Sequence, residues 1–418
     1  MTIHIIGAGL AGLSAAVNLA KGSKDIILYE ATGQAGGRCR SFDDLILGQE
    51  IDNGNHLILG ANHEIFNYLN ILKVEIDHVF HQVPLEFNII DLSKESVSAI
   101  KPTVGRIPWW IFSKSRRFSK STAIDYLEII KIFIAKSSST VSQSLTANKV
   151  LYEKLWRPLT LAIMNAKPED ASAKVLGKTL RKIFFEKGGI QPFISKIGLS
   201  KIFVEPALDY LEKFQVQTFF NCPLKAIDFT DKTPKLVFAA KTVVINADDK
   251  VILAVPPYSI NKLNLPIAHP QEYESILNVH FSVSADIWGK FLPKLPSIIG
   301  LIHGISDWIF LRPNLISITK SAANDMDEKI EVDDIWHEVK KSIKIYYGIE
   351  QLSYIKSRVI MEKRATFLQN PYNCRFNRPS YVTSIPNFYL AGDWTDTNLP
   401  ATIEGAISSG KNVAAFLL

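Results

Sequence analysis

Read along the chain, apolar and polar positions first form short strand-like runs and then helical stripes. Ile3–Ile6 reads as a buried strand, Gly7–Gly12 as a glycine turn, Leu13–Lys21 as a helix and Ile26–Glu30 as a second strand. That order is one βαβ half of a doubly wound sheet. Glu64–Asp77 predicts a helix leading outward. Short alternating runs from Phe80 to Lys101, with Asp91 and Ser93 as turn formers, predict strands of another sheet. The pattern turns helical from Thr122 to Lys187, broken at Ser137–Ser139 and at Pro168, and Ile190–Phe214 reads as a loop followed by a helix. Strands are predicted at Val216–Phe220, Lys225–Phe229, Lys235–Phe238 and Val251–Ala254, then at Ile276–Ala285, Ile298–Ile302, Trp308–Leu311 and Leu315–Thr319. A helix over Val332–Tyr347 precedes a last strand, Phe388–Ala391, and a closing helix over Glu404–Phe416.

No repeat, low-complexity tract or long linker interrupts this pattern. It predicts an α/β fold with an α+β substrate part. A Rossmann-like cofactor domain from residues 1–77, 195–257 and 355–418 is interleaved with a substrate- and membrane-facing domain from residues 78–194 and 258–354. Composition changes little: 418 residues, 47% hydrophobic and 21% charged, is an ordinary globular balance. The formal charge of +6 favours anionic surfaces mildly, and nucleic acid is not expected because the basic residues are scattered without a recognition motif. Cys39, Cys222 and Cys374 lie too far apart for a zinc site or disulfide framework, so no metal is expected and a reducing cytoplasm is the expected setting. A cleavable leader would have to be cut from the first strand, and no apolar run is long enough to span a bilayer.

Gly7, Gly9 and Gly12 form a G-x-G-x-x-G turn between strand and helix, with Leu10 and Ala11 opening the helix. The first glycine allows a sharp turn, the second lets backbone approach a pyrophosphate, and the third lets helix and strand pack closely. Glu30, ending the next strand, stands where a carboxylate binds an adenosine ribose. Gly36, Gly37 and Arg38 follow at once, offering a second close approach and a planar fork of donors for phosphate; this addition separates FAD from NAD. Near the end, Leu390–Trp394 reads as a strand delivering Gly392 and Asp393. Asp393 is expected to accept from a ribityl hydroxyl, and Thr402, Ile403, Glu404 and Ala406 to set helix N–H groups against the flavin pyrimidine.

Together these residues resemble the flavoprotein superfamily of amine oxidases, protoporphyrinogen oxidases and phytoene desaturases. More narrowly, Asp52-Asn53-Gly54-Asn55-His56, Leu155–Leu159, Lys363–Phe367 and Ala391–Thr395 running on through Leu399–Ala406 resemble the hydroxysqualene dehydroxylase family, which usually has Gln where Asn55 stands. The resemblance runs end to end, weakest over Phe80–Lys120 and Asn261–Tyr354. It implies non-covalent FAD, held also by Asn53, Gly54, Asn55 and the backbone of Leu224. It further implies an apolar isoprenoid substrate, hydroxysqualene, that loses its hydroxyl as water and receives a hydride. Such a step needs an acid for the leaving oxygen; His56, Glu404 and Asp52 are the candidates. A second nucleotide turn is not evident, so an external electron donor is an option. Trp109, Trp110 and Phe112, followed by Lys114, Arg116, Arg117 and Lys120, form a candidate membrane surface for a peripheral protein on the inner face. The rival readings are an oxidative carotenoid-type desaturase, another amine-oxidase-like flavoenzyme, and a non-catalytic prenyl-protein-binding module of the GDP-dissociation-inhibitor type.

Overall fold

The computed structural model describes residues 1–22, 25–105, 107–145, 148–290, 297–326 and 331–418. Strands Gln217–Phe219, Asp25–Tyr29, Thr2–Ile6, Lys250–Leu253 and Phe388–Leu390 form, in that order, a five-stranded parallel sheet. Its strands are short and apolar because helices cover the sheet. Two of these helices, Leu10–Ala20 and Ile403–Leu417, pack at very close range: a Cβ on Gly410 would meet the Ala11 carbonyl oxygen at 2.2 Å, and Ser14 Oγ donates to the Ile407 carbonyl at 2.7 Å. The first and last segments of the chain thus share one core, and this is the α/β arrangement expected.

A second, seven-stranded sheet runs Lys356–Phe367, Tyr273–Ser282, Leu315–Lys320, Trp308–Arg312, Ile298–Ile302, Phe87–Asp91, Ser96–Ile100. Strand Tyr273–Ser282 shows how it is used. Leu277, Val279 and Phe281 pack in one core with Ile335, Trp336, Val339 and Ile343 of helix Val332–Tyr347. Ile276, Asn278, His280 and Ser282 alternate with them and face the other way. Strand Lys356–Phe367 was not predicted. It lies within the stretch expected for the cofactor domain, yet pairs with Tyr273–Ser282. Over the open face of this sheet lies a layer of helices, most of them short. They include Ala123–Tyr126, Ile129–Phe133, Arg157–Met164 and Ala173–Phe185, within the expected helical stretch (whose residues 146–147 lie outside the described residues).

The two sheets meet through a hairpin, Ser41–Asp44 with Gln49–Asp52, and the chain leaving it, Asn53–His56, passes between the two sheets. Among the described residues no helix is long and apolar enough to cross a membrane.

Candidate cofactor cleft and cavity

Gly9 precedes helix Leu10–Ala20 with no side-chain cap, so the N–H groups of Leu10, Ala11 and Gly12 have no side-chain acceptor. A Cβ on Gly9 would meet nothing within 4 Å, which leaves the helix mouth open to a ligand; one on Gly12 would strike the Gly7 carbonyl oxygen at 1.9 Å. The second glycine turn comes to the same place. Gly36 bridges Gly9 in parallel, and its N–H donates to the Ala8 carbonyl at 2.8 Å. A Cβ on Gly37 would lie 3.3 Å from the Gly9 Cα. Glu30 is held as a fixed carboxylate: Ala8 N–H donates to Oε2 at 2.8 Å, and Thr32 N–H to Oε1 at 2.9 Å. Cys222 N–H donates to the Glu30 backbone carbonyl at 2.8 Å, two residues along the chain from Leu224.

The tail converges as well. Arg38 Nη2 lies 2.7 Å from Asp393 Oδ1, and Arg38 Nη1 donates to the Ala365 carbonyl at 2.6 Å. Gly392 N–H donates to Ser409 Oγ at 2.8 Å, fixing the turn to the closing helix. Thr402 caps that helix through the Gly405 N–H at 3.2 Å, while Ala406 lies within its first turn. An open helix mouth, an anchored ribose-type carboxylate and an Arg–Asp pair joining the second and third turns suit a dinucleotide carrying a pyrophosphate. The donor set and the space at Gly9 fit FAD.

Beyond this cleft lies a cavity of about 770 Å³. Its polar end is built from Arg38, Asn53, Gly54, Asn55, His56 and, from the sheet face, Asn278, Thr319 and Glu362; Thr402, Ile403 and Glu404 close it. The rest is mostly apolar, with Trp110, Ile111, Tyr126, Leu155 and Trp156 among its walls, and Glu86, Asn165 and Lys182 as polar exceptions. Few polar groups in a long apolar cavity are what orients a mostly hydrocarbon ligand.

The three acid candidates differ in what already holds them. His56 faces the cavity and makes no hydrogen bond among the described residues; burial lowers its pKa below the ordinary imidazole value. Glu404 accepts from Glu64 N–H at 3.1 Å and Ile65 N–H at 2.9 Å, capping helix His63–Ile71, while burial raises its pKa. Asp52 does not line the cavity. Its Oδ1 accepts from Ser41 Oγ at 2.7 Å and Leu199 N–H at 2.9 Å, and its Oδ2 pairs with Arg312 at 2.7 Å.

Sequence reasoning missed Asn278, Thr319 and Glu362. Glu362 sits on the unpredicted strand, and Asn53 Nδ2 approaches it at 3.5 Å. The other two had a legible signal: in Leu277–Ser282 every second residue is polar, although both faces of the strand are covered. At the membrane candidate, Trp109 and Phe112 are 66% and 64% exposed, but Trp110 is only 5% exposed and packs edge-on against Tyr126. Trp110 is therefore a cavity wall and not a surface anchor.

The sequence matches the family described as flavin containing amine oxidoreductase over residues 10–418. Hydroxysqualene dehydroxylase of Rhodopseudomonas palustris is 36% identical, covering 100% of this chain and 98% of the relative. That of Zymomonas mobilis is also 36% identical, covering 99% and 98%. Among solved structures, cyclohexylamine oxidase from Brevibacterium oxydans IH-35A superposes with a TM-score of 0.70 at 13% identity, over 100% of this chain and 98% of that one. With identity at this level along the whole chain, and with the glycine turns brought to one cleft, the chain is an FAD-dependent oxidoreductase of the flavin-containing amine oxidoreductases and belongs to the hydroxysqualene dehydroxylase family.

Proposed function

We propose that this protein removes the hydroxyl of hydroxysqualene reductively, giving squalene and water. The observation that carries the reading is a mostly apolar cavity of about 770 Å³ that shares Arg38, Asn53, Gly54 and Thr402–Glu404 with the cofactor cleft. FAD, when bound and reduced, supplies a hydride. In this reading the N–H groups at Leu10, Ala11 and Gly12 with Arg38 hold its pyrophosphate, Glu30 its adenosine ribose and the Leu224 backbone its adenine. Asp393 holds the ribityl chain, and the Thr402–Ala406 turn, with Asn53 and Gly54, faces its ring system.

The apolar walls exclude water and lay the two hydrocarbon arms along the cavity. His56, kept neutral near pH 7 by burial, relays the proton that lets the hydroxyl leave as water: one ring nitrogen gives its N–H to the departing oxygen while the other takes up a proton from solvent. Glu362, at the same end, supplies a carboxylate against cationic charge developing on carbon. Glu404 orients helix His63–Ile71 under the cleft, and Asp52 holds the hairpin that leads to His56. Electrons enter from an external donor.

The substrate reaches the cavity from a bilayer on whose inner, cytoplasmic face the protein rests. Ile107, Trp109, Phe112, Ile124 and Ile134 are each more than half exposed, on the segment whose other side lines the cavity. Lys114, Arg116 and Lys120 stand exposed among them, as binding to anionic headgroups requires.

The test is product analysis with chemically reduced holoenzyme. Hydroxysqualene is expected to yield squalene, while oxidised holoenzyme leaves phytoene unchanged. His56→Gln is expected to keep stoichiometric flavin and slow turnover by roughly 10²–10⁴-fold. Desaturated phytoene without squalene would reverse the direction of electron flow and end this reading.

A further inference from the structure

Among the polar groups that line the cavity, one set lies beside His56, and it takes up the amide of Asn55, which the family resemblance had placed on the cofactor. Asn278 and Thr319 stand opposite each other on neighbouring strands, on the face turned toward the cavity. Thr319 Oγ1 donates to Asn278 Oδ1 at 2.8 Å, and Asn55 Nδ2 donates to Thr319 Oγ1 at 3.0 Å and to Asn278 Oδ1 at 3.4 Å. Asn278 Nδ2 donates in turn to the Asn53 carbonyl at 3.4 Å. Asn278 is 1% exposed and Thr319 8%. Three uncharged polar side chains therefore form a small network in a mostly apolar cavity, beside His56: a Cβ on Gly54 would lie 3.7 Å from both His56 Nε2 and Asn278 Nδ2.

The inventory of donors and acceptors shows what the network lacks. An amide presents a carbonyl acceptor and two N–H donors, and a hydroxyl can accept as well as donate. Asn55 spends its Nδ2 on the network, while its Oδ1 accepts nothing among the described residues. A ligand that is only hydrocarbon would cover that group and leave it unpaired, which is costly in a dry pocket. A ligand bearing one hydroxyl would complete it.

We infer that Asn55, Thr319 and Asn278 form the hydroxyl-recognition element of the cavity, discriminating a hydroxylated triterpene from the corresponding hydrocarbon. This rests on the dehydroxylation reading and deepens it. The same element that seats the substrate loses its partner when the hydroxyl leaves, so the product is held more weakly than the substrate and is released. Thr319 and Asn278 are positioning residues; no bond to them forms or breaks.

The test uses flavin-loaded protein kept oxidised, so that binding is read without turnover. Hydroxysqualene and squalene are titrated separately in detergent while the flavin absorbance change is followed. The wild type is expected to bind hydroxysqualene roughly tenfold or more tightly than squalene. Thr319→Val is expected to bring that ratio close to one with squalene affinity and flavin content unchanged, and Thr319→Ser to restore it. A wild-type ratio near one, or a Thr319→Val variant that keeps the wild-type ratio, overturns the inference. If Thr319→Val loses its flavin, Asn278→Ser carries the same measurement, and loss of flavin in both variants assigns the network to the cofactor instead. Failure of the reduced wild type to make squalene would remove the functional reading itself. Squalene formation with an unmoved ratio removes only this inference.

Discussion

Two glycines three residues apart do different physical work, and substitution separates them. Gly9 has φ −69°, a value any residue adopts, and nothing occupies the space its Cβ would fill. Gly9→Val should therefore fold as the wild type does and fail to hold FAD, because the added side chain fills the place of the pyrophosphate. Gly12 is the opposite case, since a Cβ there lies 1.9 Å from the Gly7 carbonyl oxygen. Gly12→Ala should cost about 1–3 kcal/mol or more through forced separation of helix and strand, with or without cofactor. Thermal unfolding of the two flavin-free proteins reads the difference: Gly9→Val matches the flavin-free wild type and Gly12→Ala melts lower. A yellow, stoichiometric Gly9→Val protein would place the phosphates elsewhere. The ion pair of Arg38 with Asp393 joins the second and third turns at 2.7 Å.

At the scale of elements, the short helices between residues 109 and 134 face two ways. Trp110, Ile111 and Tyr126 are buried as cavity walls, whereas Trp109, Phe112, Ile124 and Ile134 point outward and are 64–77% exposed. Replacing those four outward residues by Ser should release the protein from anionic vesicles and leave flavin content unchanged. Trp110→Ser should lose about 3–5 kcal/mol of stability while vesicle binding persists in whatever remains folded. Co-sedimentation of the fourfold variant at wild-type levels would refute the membrane face. Adjacent residues of one tight turn fall on opposite sides, which is why composition could flag the Trp109–Phe112 segment but not say which tryptophan is the wall. The βαβ opening, helix Val332–Tyr347 and the closing helix were legible because their periodicity is unbroken over whole elements. Strand Lys356–Phe367 was not. It lies at the sheet edge with one neighbour, and charged residues scattered through it blur the alternation. Glu362 stayed hidden with it. Asn278 and Thr319 were on predicted strands, but pairing them needed the register between strands distant in sequence.

At the scale of the whole molecule, the cofactor part and the substrate sheet are joined by a buried polar contact. Asp52 of the hairpin pairs with Arg312 of the sheet, Arg312 Nη2 donates to Ser195 Oγ at 3.2 Å, and Arg358 lies 3.1 Å from Asp44. The chain leaving Asp52 is Asn53–His56, so this contact also fixes His56 and Asn55 against Asn278 and Thr319. His280 lies on the same face of the sheet, bonded to Ser317 Oγ at 2.8 Å, with its other ring nitrogen unpartnered among the described residues. Burial, reinforced by Arg312, lowers its pKa to about 4. The folded form therefore resists a proton that the unfolded chain accepts near pH 6.5, the ordinary imidazole value. The sign follows from that difference. Stability from this site is whole above pH 6.5, is lost progressively as pH falls, and is gone below about 4, a change on the order of 3 kcal/mol. The substitution His280→Asn removes the titration but keeps a polar side chain. Its denaturation midpoint should fall less steeply than the wild type's between pH 7 and 4, whatever its stability at pH 7. Flavin retention should follow the same curve, because the contact that loosens is the one holding the cleft against the sheet. A His280→Asn variant as acid-sensitive as the wild type would mean that folded His280 accepts its proton as readily as the unfolded chain does, and that the junction yields to acid through its carboxylates.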